Sequence, residues 1–386
     1  MRTVRAFTLA VAGVCLLGTA GWMAAQMPPQ IPRNIQLKSI QLGNLKAIQM
    51  EAPAAVKLAL PQKKAMNLQH LQSVMSYRGL IPMMQLKGGK QIALMPVEEQ
   101  PVTTVAVSPT KMQIRNPGII VKEPVTKVNP GIAGSRIPSS VIQRMITSLS
   151  DHRSCQTAIR DQGDRGTCTA FASVAAIEAF EKCKKGVSVD LSENDAYHVS
   201  MQNESKICKT DLGTATYMTA QYLTTGRICE ETQMPYTMLG GVPVNDGSHV
   251  PAGCQSGARF GFTDTQLVMG TNFGGPAVDN ANNPTYLESV INSGYNMVYG
   301  LYVAGTDWSD GSAETGVVDV QTMNGAPAPS VGGHAMLLVG FDHAGNYFIF
   351  KNSWSASHGH AGYFYLSYDY IRTYGKYGYI VKGVAD

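Results

Sequence analysis

The sequence predicts an α+β fold in two lobes, a helical one followed by a β-rich one, carried by residues 151–386 of a 386-residue chain. Three observations predict it. Of the 30 aromatic residues, 27 lie beyond residue 150, so nearly all the large apolar area available for a core is there. From Cys168 onward apolar residues recur three or four apart, the period of a helix with a buried face. From Tyr295 to Val381 short runs rich in Tyr, Phe, Val and Ile alternate with turn residues, the pattern of strands. A composition of 44% hydrophobic and 15% charged residues excludes a wholly disordered chain and a wholly membrane-embedded one.

Residues 1–26 come first. Arg2 and Arg5 precede an uncharged apolar run, Ala6 to Ala25, which is the layout of a secretory signal. Cleavage after Ala20 fits the small-x-small rule and cleavage after Ala25 fits it less well, and a retained anchor is the alternative, since 20 residues at 1.5 Å rise just span ~30 Å of hydrocarbon. The expected location is secreted or periplasmic. Residues 27–150 carry 15 basic against 4 acidic side chains and a single aromatic residue, Tyr77, whereas residues 151–386 carry 14 against 23. The resulting charges are +11 and −9. Stretches such as Ile35–Leu42 and Met84-Gln85-Leu86-Lys87 alternate more like strands than helices, and prolines at 96, 101, 109, 117, 124 and 130 favour extended chain. With so little aromatic area this segment gains too little to offset ~1–2 kcal/mol of backbone entropy per residue by itself. It is expected to lie on the acidic domain of opposite charge.

Within residues 151–386, a helix is expected from Cys168 through Phe171, Val174, Ala175, Ile177 and Phe180, ending before Gly186. A second runs from about Leu212 to Leu223 and stops at Gly226. Residues 240–284 are dense in Gly, Asn, Pro and Asp and read as a long loop. The expected strands are Tyr295–Val303, Ala335–Phe341, Tyr347–Lys351, Gly362–Tyr368 and Tyr377–Val381. Six cysteines remain beyond the signal, all between 155 and 254, and an even set in an oxidising compartment suggests three bridges. The setting of Cys168 argues against three.

The run Asp161-Gln162-Gly163-Asp164-Arg165-Gly166-Thr167-Cys168 ends at the start of the predicted core helix. Unpaired N–H groups and the helix dipole favour a thiolate there, and an imidazolium neighbour favours it further. That is the setting of a nucleophile. Val331 to Phe341 reads as an apolar strand opened by Gly332-Gly333, with His334 at its mouth. A hairpin centred near residue 344 then sets His334 opposite Trp354 and diagonal to Asn352 on one face. At that spacing, roughly 7–8 Å between backbones, Asn352 can accept from one ring nitrogen while the other faces the thiol. Trp354 would cover the bond from water.

Gln162 six residues before Cys168, Ala170-Phe171 after it, Gly333-His334-Ala335 and Lys351-Asn352-Ser353-Trp354, in that order, resemble the papain-like cysteine peptidases. Leu191-Ser192-Glu193, Met234-Pro235-Tyr236 and Gly362-Tyr363-Phe364 extend the resemblance over about residues 155–386. It implies a hydrolase, a thiol protease with a helical left lobe, a β-barrel-like right lobe and the active site between them. It further implies Cys168 as nucleophile, His334 as base and then acid, and Asn352 orienting His334. The Gln162 side chain and the Cys168 N–H would form the oxyanion hole. It implies protein or peptide substrates as partners. Residues 27–150 lie outside the resemblance; their charge of +11 against −9, their lack of core-forming aromatics and their position just before the Cys168 loop suggest the pro-region of a zymogen acting as an intramolecular inhibitor, with an adhesive arm for an acidic surface as the alternative.

This sequence departs from the family's pattern at several points. Thr169 stands where the family usually has Trp, Arg165 where it has a bridging Cys, and Ser355 where a Gly follows the Trp. Lys209-Thr210-Asp211-Leu212 follows Cys208 in place of Asn-Gly-Gly, and residues 27–150 lack the long helical inhibitory pattern. Because Cys168 must stay free, five other cysteines remain beyond the signal, so at least one is unbridged within the chain. A transglutaminase-like acyltransferase, which usually orients its His with Asp, and an inactive papain-like binding module are the rival readings. No cofactor or metal is implied: His343, His358 and His360 read as turn histidines, and there is no phosphate-binding glycine loop. The basic segment lacks interleaved aromatics, so nucleic acid is not an expected partner.

Overall fold

In the computed structural model the described residues are 64–78, 81–95, 149–203, 213–236, 250–309 and 315–386. All of them fall within one compact unit, residues 52–386. The expected signal segment, the Ile35–Leu42 stretch, the prolines at 96–130 and Cys208 lie outside these residues.

The N-terminal part builds β1 (Lys64–Ala65), α1 (Leu68–Val74), β2 (Met75–Arg78), β3 (Ile81–Gln85) and β4 (Gln91–Ala93). The strand pattern around Met84 is realised in β3. The helix α1 departs from the extended expectation; Asn67 caps it by accepting from the His70 N–H at 3.0 Å. Strands β2, β3 and β4 form a small antiparallel sheet. Met84, Leu86, Ile92 and Leu94 do not make a core of their own but join the main apolar cluster, with Leu301, Trp308 and Trp354.

The strand β5 (Leu149–Asp151) leads to the core helix α2 (Cys168–Phe180). Every residue from Cys168 to Ala179 is buried, as a helix apolar on all sides must be. Its alanines let it pack against β11 (Ser330–Asp342), α3 (Glu193–Asn203) and α4 (Thr216–Thr225). It passes into a π-helical turn, Glu181–Lys185, and stops at Gly186, whose φ of 73° closes it as a left-handed cap. Cys155–Cys183 ties that turn to the chain before α2, and Cys229–Cys254 is a second disulfide. Cys168 takes part in neither disulfide. α4 ends at Gly226 as expected.

The long loop expected over 240–284 is a correction: α5 (Ala252–Gly257) and the nine-residue strand β6 (Gly261–Met269) occupy part of it. Gln266 and Val268 are buried and alternate with partly exposed neighbours, but the period is broken at the exposed Asp264, and the signal is further diluted by the Gly- and Asn-rich stretches on either side.

The β lobe contains β7 (Met297–Ala304), β8 (Val317–Val318), β9 (Gln321–Met323), β10 (Ala326–Pro327), β11, β12 (Tyr347–Lys351), β13 (Tyr363–Ser367) and β14 (Gly375–Ala385). Eight strands form the main sheet in the order β6-β14-β7-β11-β12-β13-β8, with β5 added on β11. The path is open: among the described residues no pairing joins β6 to β8. Helices α6 (Pro284–Asn292) and α7 (Tyr368–Tyr374) pack on β11 and β7. The molecule is thus α+β, with β11 at the seam where α2 meets the sheet.

Candidate active site

Cys168 is the first residue of α2 and is fully buried. His334 lies on β11, and Asn352 follows directly after β12. The β11–β12 register brings the last two together. Near the turn Asp342 pairs with Tyr347 and Gly340 with Ile349, but a bulge at Val339 shifts the pairing so that Leu337 meets Lys351. Extended by three residues, the shifted register sets His334 level with Trp354; without the bulge it would face Ser355. The His334 ring stacks on Trp354 with centroids 4.5 Å apart, and Trp308 meets its edge at 6.3 Å. Nε2 of His334 and Oδ1 of Asn352 are 2.7 Å apart, so Nε2 carries the proton and donates. The Ser353 N–H donates to the same oxygen at 2.8 Å. Nδ1 is buried and makes no hydrogen bond among the described residues, which leaves it to serve as a proton acceptor.

Gln162 is buried at 0% exposure. Its Oε1 accepts from Ser353 Oγ at 2.6 Å, and its Nε2 donates to the Arg165 carbonyl at 2.9 Å. These two bonds fix which end of the amide is which and leave one N–H of Nε2 for another acceptor. The Gln162 N–H donates to the Ser353 carbonyl at 2.8 Å, so the loop before Cys168 is pinned to the segment after Asn352. Tyr236 adds a third tie, its hydroxyl donating to the Gln162 carbonyl at 2.8 Å and lying 2.7 Å from Thr167 Oγ1.

Burial pushes the His334 pKa down to about 4, with the Asn352 bond acting against it, so the ring is neutral near pH 7 in this closed arrangement. Asn352 also lines a small pocket, of about 10 Å³, with Glu178, Glu193, Lys351 and Ser353 among others. Burial raises both carboxyls and lowers the Lys351 ammonium, while their mutual attraction opposes the lysine shift. Thr157 bridges Lys351 to Glu178.

The N-terminal segment crosses this site. Met95 and Gly333 exchange both backbone hydrogen bonds, at 2.8 and 2.7 Å, one residue before His334. The Met95 side chain packs in the cluster that holds Cys168 and Ala335. Lys90 Nζ sits on the Asp161 carboxylate at 2.5 and 2.6 Å and on the Trp354 carbonyl at 3.1 Å. Arg78 binds Asp164 through its carboxylate at 3.1 Å and its carbonyl at 2.7 Å.

The papain family cysteine protease model matches residues 146–380. The chain belongs to the papain family of cysteine proteases. Among curated relatives it is 26% identical over 265 residues to cysteine proteinase 3 of Entamoeba histolytica, covering 65% of this chain and 70% of that protein. It is 27% identical over 213 residues to cathepsin L1 of Drosophila melanogaster, covering 54% and 49%. The chain spans about half or less of the length of most of the curated relatives it matches. Xylellain, a cysteine protease from Xylella fastidiosa, shares the fold, with a TM-score of 0.50, 22% identity and coverage of 62% of this chain and 89% of that one.

The departures from the family's pattern now have structural settings. Arg165, in place of a bridging Cys, is fully buried, donates to Asn194 Oδ1 at 2.8 Å and lies 5.5 and 5.0 Å from the ring centres of Tyr197 and Tyr236. Thr169, in place of Trp, accepts from Thr219 Oγ1 at 3.1 Å in the helical core. Ser355, in place of Gly, has a φ of 74°, the left-handed region that explains why glycine is usual there. The run after Cys208 lacks Asn-Gly-Gly, but Gly213 with φ +70° supplies a close edge: a Cβ there would sit 3.1 Å from the Gly166 carbonyl and 3.2 Å from Met95 Cγ. The three histidines considered for metal are engaged separately, His343 with Glu288, His360 with Tyr365, and His358 with Ser355 and Ser357. The cluster of metal-ligating residue types among the described residues is Asp195 with the bridged Cys229 and Cys254. Sequence reasoning missed Ser353, Asp161, Lys90 and Met95 as neighbours of the site, since each acts through contacts far along the chain.

Proposed function

We propose that this protein is an exported peptidase that cleaves peptide bonds through a thioester on Cys168. The observation that carries the reading is the His334–Asn352 pair at 2.7 Å under Trp354, on the strand against which the Cys168 helix packs. Nδ1 of His334 takes the thiol proton as Sγ attacks the scissile carbonyl. The oxyanion forms toward the free N–H of Gln162 Nε2 and the N–H of Cys168. The tetrahedral intermediate collapses, His334 gives its proton to the departing amine, and the acyl group stays on Sγ as a thioester. Water, deprotonated by the same nitrogen, then releases the acid and restores the thiol.

The chain is made as a zymogen, with residues 27–150 as pro-region. The backbone exchange between Met95 and Gly333 and the burial of Met95 beside Cys168 support this, because a substrate peptide needs the same space. Arg2 and Arg5 ahead of the uncharged run to Ala25 support export through residues 1–26. No helix among the described residues is long and apolar enough to cross a membrane.

The test is active-site titration of the full-length protein with a thiol-reactive peptide epoxide, before and after limited proteolysis, alongside hydrolysis of a peptide library. One equivalent of label on Cys168, gained on processing together with peptide hydrolysis, is expected. Hydrolysis by Cys168→Ala would overturn the assignment, and full activity of the uncleaved chain would overturn the zymogen reading.

A further inference from the structure

We infer that Asp161, together with the Trp354 carbonyl, forms a cation subsite that selects a lysine or arginine side chain in the substrate. The inference rests on the peptidase reading and names its substrate class. The Lys90 ammonium meets three oxygens, two from the Asp161 carboxylate at 2.5 and 2.6 Å and the Trp354 carbonyl at 3.1 Å, matching its three donors. These acceptors are held by the catalytic domain itself. Asp161 Oδ1 accepts the Gly163 N–H at 2.9 Å, and Asp161 forms a backbone bridge with Trp354. Removing Lys90 therefore leaves the oxygens converging on one point.

That point adjoins the reacting groups. Asp161 immediately precedes Gln162, and Trp354 stacks on His334. Five residues on from Lys90, Met95 lies on Gly333 and beside Gly213. The segment between them, at most ~18 Å when extended, runs along the reacting groups, and a substrate peptide that replaces it follows the same track. A lysine or arginine that reaches Asp161 then replaces the Lys90 ammonium. A neutral residue leaves the carboxylate without its partner, and an acidic one is repelled. The charge of −9 over residues 151–386 against +11 over residues 27–150 favours the same class of ligand.

The test uses full-length protein activated by limited proteolysis, with active sites counted by epoxide titration. Quenched fluorescent peptides identical except for Lys, Arg, norleucine or Glu at one position are scanned through three positions on each side of the scissile bond. At one position Lys or Arg should exceed norleucine in kcat/KM by about threefold to fivefold, with Glu below both, and the ratio should shrink in 1 M salt. Asp161→Asn should bring the Lys-to-norleucine ratio close to one, whatever it does to the norleucine rate, and Asp161→Lys should turn the preference toward Glu. A scan with no preference above twofold, or a ratio that survives Asp161→Asn, overturns the subsite while leaving the peptidase reading standing. Failure to cleave any peptide overturns both.

Discussion

Replacing Ser353 by Ala tests whether Gln162 is held for catalysis by its amide orientation. Ser353 Oγ donates to Gln162 Oε1 at 2.6 Å, and both residues are buried. Removing the hydroxyl takes that donor away from the oxygen, a cost of about 1–3 kcal/mol to the local structure. The amide will loosen but not invert. A flip would set Oε1 against the Arg165 carbonyl, which now accepts from Nε2 at 2.9 Å, so two acceptors would face each other. Loss of about 1 kcal/mol of orientation corresponds to a fall in kcat of about fivefold. Gln162→Ala, which removes the donor itself, should cost ~10²–10³. KM should change little in both, because the acceptor gains its charge in the transition state. The assay is steady-state hydrolysis of a quenched peptide, normalised by epoxide titration, on both single variants and the double. If Ser353 acts through Gln162, Ser353→Ala has no further effect in the Gln162→Ala background. Effects that multiply in the double variant would refute the reasoning.

Cys168→Ala and His334→Ala should each lower kcat by orders of magnitude with unchanged circular dichroism, whereas Asn352→Ala should be milder, about 10–100-fold, because the Trp354 ring still holds the imidazole. An Asn352 variant as inactive as the Cys168 one would show that stacking does not hold the ring. Arg165→Met gives up a charge-assisted bond worth about 1.5–3 kcal/mol and recovers part of the guanidinium desolvation. A net loss of about 2 kcal/mol should lower Tm by ~4–8 °C in calorimetry; an unchanged Tm would mean the two contributions cancel. Burial raises the Asp195 pKa from 3.8 to about 6, against the Cys229 N–H bond that lowers it. The fold therefore prefers the protonated acid, and the stability this contributes is present below pH 4 and lost as pH rises through 6. Asp195→Asn removes that loss, so its Tm advantage over the parent should grow between pH 4 and 7.5, toward an equivalent of about 3 kcal/mol; a constant difference would contradict the shift.

The residues of the site were legible because each sits on a short pattern whose period or turn is local. Cys168 opens a helix with apolar spacing, and the His334 strand and the Asn352 strand flank one compact turn. The expected alignment of His334 with Trp354 holds because the bulge at Val339 offsets a turn placed half a residue later than expected. Elsewhere the local signal was absent. α3 begins Glu193-Asn194-Asp195, a polar start whose burial depends on Arg165, Cys229 and Pro235 reaching it from other segments. β6 was hidden between loops dense in glycine and asparagine. Lys90 meets Asp161 across 71 residues and Trp354 across 264, separations at which no periodicity carries information.

The charge split in the sequence points to attraction between the basic segment and the acidic domain, and the contacts show which forces hold it. Two ion pairs join the segment to the loop before Cys168, Arg78–Asp164 and Lys90–Asp161, with all four side chains about a quarter to a third exposed. Pairs so accessible to water contribute about 0–1 kcal/mol each and weaken with salt. Met84, Leu86, Ile92 and Leu94, all at 2% exposure or less, lie in the same apolar cluster as Trp308 and Trp354. Burying four such side chains contributes ~6–12 kcal/mol before the entropy of ordering the segment is subtracted. Salt alone therefore leaves the segment in place. Its release requires either cutting the chain or disturbing the apolar seat, and Leu94 is the residue to change, because its side chain packs against Gly332, two residues before His334.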